Sequence, residues 1–125
     1  MMKSTLLVVE DDEAILHIID VALTMSYYKV IKAKTGREAD FRIRTEHPDI
    51  ILLDLGLPDI DGLSLIKRLR ECVDTPIIVI SARTEEETIV KALDYGANDY
   101  MTKPFNIDEL QARIRVALRV SKRPD

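Results

Sequence analysis

Apolar positions along this chain follow two alternating patterns, short unbroken runs and longer stretches with helical spacing. Thr5 to Val9, Tyr28 to Ala33, Ile50 to Leu53, Ile77 to Ile80 and Asp99 to Thr102 read as strands. Between and after them, Glu13 to Thr24, Gly36 to Thr45, Leu63 to Glu71, Glu85 to Leu93 and Ile107 to Val120 have the spacing of amphipathic helices. Thr35 and Asn106 stand where N-caps belong, and Gly96 is a natural C-terminal stop. The loop Gly56-Leu57-Pro58-Asp59-Ile60-Asp61-Gly62 carries breakers and caps. Strands that are apolar throughout need cover on both faces, which predicts a parallel sheet with helices on each side. Right-handed crossovers leave few topologies.

The polar residues that end these runs carry the chemistry. Ile50-Ile51-Leu52-Leu53 closes on Asp54, Leu6-Leu7-Val8-Val9 on Glu10-Asp11-Asp12, Ile77 to Ile80 on Ser81, and Tyr100-Met101-Thr102 on Lys103-Pro104. In the doubly wound α/β class with the flavodoxin-like strand order 2-1-3-4-5, strands one and three flank the switch point where ligands bind. Glu10, Asp11 and Asp54 would then crowd together, and like charges that close cost stability unless neutralised. A hard cation such as Mg²⁺ suits them, since it takes one or two carboxylates, waters and a phosphate oxygen. Lys103 supplies a second neutralising charge suited to a phosphoryl oxygen. Each element alone is weak: Glu10-Asp11-Asp12 also makes a good helix N-terminus, a serine after a strand is an ordinary cap, and a lysine before proline is ordinarily solvated. Cation binding and capping both stand open for the acidic triplet. The joint occurrence at four strand ends favours metal and phosphoryl chemistry.

Composition narrows the rest. A chain of 125 residues is one domain, long enough for a real core without disulfides. Cys72 is the single cysteine, so an internal disulfide or Cys-based zinc site is excluded, and a partly buried thiol near a helix end is expected. Eighteen basic against 22 acidic residues give a net charge of −4, which opposes direct nucleic-acid binding. No basic-apolar leader opens the chain and no apolar run approaches the ~20 residues of a membrane span. A cytoplasmic protein without membrane association is expected. His17 and His47 should be surface or packing residues, Met25 and Met101 core filler, and Arg113, Arg115, Arg119, Lys122 and Arg123 a solvated helix face.

Four stretches carry a family resemblance over nearly the whole chain: Val9-Glu10-Asp11-Asp12, Asp54 to Asp59 with Asp61-Gly62, Ser81-Ala82-Arg83, and Gly96 to Phe105. Together they resemble the receiver domains of two-component response regulators. Asp-Leu-Gly-Leu-Pro at Asp54 to Pro58, Ser81-Ala82-Arg83 and Glu109 to Arg113 are most similar to the OmpR/PhoB subfamily. The resemblance implies that Asp54 takes a phosphoryl group from a phosphohistidine of a sensor histidine kinase. It further implies Mg²⁺ on Asp11, Asp54 and the Gly56 carbonyl, with Glu10 acting through water. Lys103 and Ser81 would meet phosphoryl oxygens, Tyr100 would be the aromatic rotor that follows Ser81, and Lys103-Pro104 would be cis. Such a domain is a self-modifying switch with slow autodephosphorylation rather than a turnover enzyme.

The resemblance also implies an output. Residues 1–120 would form the receiver, and 121–125 would begin a linker to a DNA-binding domain outside this chain, so that DNA is met only through that domain. A free-standing receiver acting by protein–protein contact is the alternative. Subfamily members pair through helix four, strand five and helix five. Here Val90, Leu93 and Ala112 would form the apolar patch, and Asp99 with Arg113 a charged pair. Glu109 faces Ile89 where a cation is usual, and Asn98 and Val120 replace an acid and its basic partner. A homodimer on phosphorylation, held more by burial than by charge, is expected. An aspartyl-phosphate phosphatase of the haloacid dehalogenase type would need an acid two residues after Asp54, where this chain has Gly56. A flavin or nucleotide binder would need a Gly-rich loop where Glu10-Asp11-Asp12 stands. A receiver-like module that works without phosphorylation is disfavoured because all five site positions match.

Overall fold

The computed structural model describes residues 3–121. Five strands, β1 (Thr5–Val9), β2 (Lys29–Ala33), β3 (Ile50–Leu53), β4 (Ile77–Ser81) and β5 (Asp99–Thr102), form one parallel sheet in the order β2-β1-β3-β4-β5. Each is followed by a helix: α1 (Glu13–Met25), α2 (Gly36–Glu46), α3 (Gly62–Arg70), α4 (Glu86–Tyr95) and α5 (Ile107–Ser121). This is the expected flavodoxin-like architecture. Residues 122–125, and with them most of the expected linker, lie outside the described residues.

Period-two alternation splits the strands between two cores. Leu7, Val9, Ile51, Leu53, Ile77 and Val79 face one side of the sheet and pack with Ala39 and Ile43 of α2, Leu65, Ile66 and Leu69 of α3, and Ala92 of α4. Leu6, Val8, Ile50, Leu52, Ile78 and Ile80 face the other, against Leu16, Ile19 and Leu23 of α1 and Leu110 and Ile114 of α5. Deleting one such side chain, as in Leu52→Ala, would cost about 2–5 kcal/mol through lost transfer energy and the cavity left.

Helix ends follow local chemistry. Asp12 caps α1, accepting from the amides of Ala14 and Ile15 at 2.9 and 3.1 Å. Thr35 caps α2 through the Glu38 amide at 3.0 Å, and Asn106 caps α5 through the Glu109 amide at 3.1 Å. Gly96 ends α4 at φ 128°, where a Cβ would sit 2.2 Å from Arg70 Cγ. His47, which ends α2 at φ 49°, and His17 are both exposed, as expected. Met101 is buried, but Met25 is 75% exposed and not core filler. It lies about 200° round α1 from buried Leu23, at 100° per residue. Cys72 is likewise exposed rather than partly buried, because it follows the last turn of α3 instead of facing the sheet. Among the described residues, no helix is long and apolar enough to cross a membrane.

Candidate functional site

Strand register brings the polar run-ends to one edge. Val9 pairs with Leu53, so Glu10 and Asp54 leave adjacent strands together, and the Asp54 amide donates to the Val9 carbonyl at 2.9 Å. Ser81 pairs with Thr102, and the Lys103 amide donates to the Ser81 carbonyl at 2.8 Å. Glu10, Asp54 and Ser81 are buried, whereas Asp11 is exposed. Carboxylate oxygens of Glu10, Asp11 and Asp54 lie within 4.8 Å of one another.

Lys103 Nζ sits 2.8 Å from Glu10 Oε1 and 3.5 Å from Asp54 Oδ1. The Lys103–Pro104 peptide is cis, as the resemblance implied. Burial alone would lower the Lys103 pKa, but the hydrogen bond to Glu10 and the Asp54 charge outweigh it and raise the pKa above the ordinary value. Burial pushes the Glu10 carboxyl up and Asp54 adds to this, against the pull of Lys103 and the Asp12 amide. The two directions oppose each other across one hydrogen bond. The Lys103 direction follows from geometry, because an ammonium between two carboxylates is a better cation. Glu10 Oε2 also accepts from the Asp12 amide at 3.1 Å. The acidic triplet therefore divides: Asp12 is the helix cap, while Glu10 and Asp11 face Asp54.

Ser81 and Tyr100 meet at Arg83. The Arg83 amide donates to Ser81 Oγ at 3.1 Å, and the Tyr100 hydroxyl donates to the Arg83 carbonyl at 2.7 Å. Its guanidinium donates from Nη2 to Thr88 Oγ1 at 3.1 Å and lies 3.7 Å from Asp61 and 3.8 Å from Glu85. One residue thus joins Ser81, Tyr100, the loop after Asp54 and the start of α4. Sequence reasoning included Arg83 only as part of a motif. Asp59 likewise entered only as part of a motif, and its carboxylate accepts from the amides of Gly36 and Arg37 at 2.8 and 3.0 Å. Those two hydrogen bonds hold the Asp59 carboxyl below its ordinary pKa. No local signal marks this contact, because the partners are 23 and 22 residues away.

The helix four, strand five and helix five residues form a separate surface. Val90, Leu93 and Ala112 are exposed and Ile89 is half-buried. Within the chain, Arg113 binds Asp99 at 2.9 Å and Glu109 at 3.0 Å. Asn98 Oδ1 accepts from Arg70 Nη2 and from the Ile77 amide, both at 2.9 Å, so its side chain is engaged internally.

Comparison with known proteins agrees with this geometry. Transcriptional regulatory protein KdpE of Staphylococcus aureus is 62% identical over 121 residues, 97% of this chain and 52% of that protein. The KDP operon regulatory protein KdpE of Escherichia coli is 48% identical over 116 residues, 93% of this chain and 52% of that protein. The chain thus spans about half the length of the curated relatives it matches. A crystal structure of a two-component response regulator from Clostridium difficile superposes with TM-score 0.94 at 27% identity, over 97% of this chain and 100% of that one. Residues 6–115 match the response regulator receiver domain family, and the chain belongs to that family.

Proposed function

We propose that Asp54 accepts a phosphoryl group from a phosphohistidine of a sensor histidine kinase. Its covalent state then controls DNA binding and transcription through a domain outside this chain. The observation that carries this reading is the Lys103 ammonium, 3.5 Å from Asp54 and 2.8 Å from Glu10. A cation held beside a buried carboxylate fits a site that admits one further anion and neutralises it.

The donor set suits a hard divalent cation. All the donors are oxygens, three carboxylates converge, and Asp11 leaves the cluster open to solvent. Asp11, Asp54 and the Gly56 carbonyl would hold Mg²⁺ directly, with Glu10 through water because Lys103 and the Asp12 amide already occupy its oxygens. When bound, Mg²⁺ lowers the repulsion between the carboxylates and an incoming phosphoryl group.

An Asp54 oxygen attacks phosphorus in line with the histidine nitrogen, a P–O bond forms, and the P–N bond breaks with its electron pair leaving on the imidazole. Lys103 donates to one phosphoryl oxygen and Ser81 to another, so positioning and charge supply most of the catalysis. Beside Lys103, Ile15, Ile18, Pro104, Phe105 and Ile107 line an apolar groove of about 410 Å³ that suits a helix of the phosphodonor. Phosphorylation adds about two negative charges and draws Ser81 from the Arg83 amide, Tyr100 moves with the freed loop, and the altered surface pairs two copies.

Incubation with acetyl phosphate followed by intact-mass analysis tests the assignment. Wild type in Mg²⁺ gains one phosphoryl mass, while wild type in EDTA and Asp54→Asn do not. Equal modification of Asp54→Asn would overturn it.

A further inference from the structure

The loop that carries Gly56 is fixed at its base by its own backbone and at its tip by another part of the chain. At the base, Gly56 and Asp61 form an antiparallel bridge, and the Gly62 amide donates to the Leu55 carbonyl at 3.0 Å. Contact there is so close that a Cβ on Gly62 would sit 2.4 Å from Leu55 Cα. At the tip, both Asp59 carboxylate oxygens bind α2, one taking the Gly36 amide at 2.8 Å and the other the Arg37 amide at 3.0 Å. Ile60 presses on the same turn, where a Cβ on Gly36 would meet its Cγ2 at 2.3 Å.

Gly56 belongs to the base anchor, three residues before the tip at Asp59, with its backbone close to Asp54: a Cβ built on it would be 3.8 Å from Asp54 Oδ2. Glycine has little conformational preference of its own, so its carbonyl direction is set by what holds the flanking residues. We propose that Asp59 is a positioning residue, pinning the loop to α2 and so fixing where the Gly56 carbonyl stands relative to Asp54. This inference rests on the reading of Asp54 and Gly56 as part of a cation-binding phosphoacceptor site. Asp59 is exposed and packs in neither core, so its contribution runs through these two hydrogen bonds. Releasing them frees the tip and spreads the directions available to the Gly56 carbonyl.

Calorimetric titration of Mg²⁺ into wild type, Asp59→Ala, Asp59→Asn and Thr35→Ala tests the proposal. Thr35→Ala is the control: it removes the local cap on the same helix, the bond to the Glu38 amide, and leaves the Asp59 contact in place. Groups that orient metal ligands typically change affinity 10- to 100-fold. Asp59 acts one step further out, so Asp59→Ala should raise the Mg²⁺ Kd about three- to tenfold. Asp59→Asn, which keeps one acceptor oxygen, should fall between Asp59→Ala and wild type, and it substitutes for Asp59→Ala should that variant not fold. Thr35→Ala should lower the melting temperature and leave the Kd within about twofold of wild type. An unchanged Kd in both Asp59 variants overturns the proposal, as does an equal rise in Thr35→Ala, which would mean that fraying of α2 alone is responsible. Wild type that binds no Mg²⁺ overturns instead the reading of the site beneath it.

Discussion

Lys103 Nζ lies 2.8 Å from Glu10 Oε1 and joins two residues 93 positions apart, at the ends of β5 and β1. The same ammonium reaches Asp54, so one cation serves a cluster of three carboxylates. Function and stability are opposed at this point. Without a divalent ion the cluster repels itself, and removing an anion should stabilise the fold while removing the cation should not.

Asp54→Asn and Lys103→Met should therefore shift stability in opposite directions in EDTA. Breaking a buried pair typically costs about 3–5 kcal/mol, and the low end, about 3 kcal/mol, suits Lys103→Met because the site opens to water at Asp11. Asp54→Asn should gain stability relative to wild type, and Mg²⁺ should narrow that gain. Urea denaturation with and without Mg²⁺ measures both. An Asp54→Asn variant less stable than wild type in EDTA would contradict the repulsion argument.

Ser81→Ala should separate phosphorylation from its consequence. Ser81 Oγ is buried and accepts the Arg83 amide, so it couples the site to the loop that Tyr100 and Thr88 also hold. The variant should fold and gain phosphoryl mass, while amide exchange in α4 and β5 stays at its unphosphorylated rate. Wild-type-like exchange changes in phosphorylated Ser81→Ala would show that the hydroxyl is not the trigger.

The Asp59 contact should be pH-dependent with a definite sign. Its folded pKa is lowered chiefly by the Gly36 and Arg37 amides, so its contribution is fully present above the unfolded carboxylate pKa of about 3.9. That contribution is lost as pH falls through the folded value. The stability gap between wild type and Asp59→Asn should be constant near neutrality and close in stronger acid. Denaturation curves for both proteins between pH 7 and pH 3 give the gap; one that widens in acid would reverse the assignment.

Pairing of two phosphorylated copies should depend on burial more than on charge. Val90 and Leu93 are 47% and 43% exposed, and Arg113 is already engaged by Asp99 and Glu109 within its own chain. Exposed ion pairs contribute only about 0.2–1 kcal/mol each. Sedimentation with a beryllofluoride mimic should show a dimer that persists in moderate salt and is lost in Leu93→Asp. A salt-labile dimer, or one indifferent to Leu93→Asp, would place the interface or its driving force elsewhere.

Strand order, helix order and the five polar positions at the strand ends, Asp54 among them, were legible in the linear chain because each depends on a local pattern. An apolar run four or five residues long must be buried on both faces, helical spacing declares a covered stripe, and parallel strands put every strand's C-terminal residue on one edge. Once that edge exists, Glu10, Asp54 and Ser81 stand at it by strand register, and Asp11 and Lys103 follow directly after. Boundaries were less legible: β2 begins at Lys29 rather than Tyr28, and α4 continues to Tyr95. Both ends are set by hydrogen bonds, such as that from the Tyr28 amide to the Leu23 carbonyl, which hydrophobic pattern does not encode.

Tertiary structure alone decided the division of the acidic triplet, the meeting of Ser81 and Tyr100 on Arg83, and the Asp59 contact with α2. It also decided that Met25 faces solvent and that Asn98 is held by Arg70. In each case the partner lies on another element, or the outcome turns on which direction a helix end faces. Hydrophobic periodicity reports which side of an element is buried. It carries no information about which distant amide or carbonyl a polar side chain on the other side will meet, because that depends on the path of the loops between them.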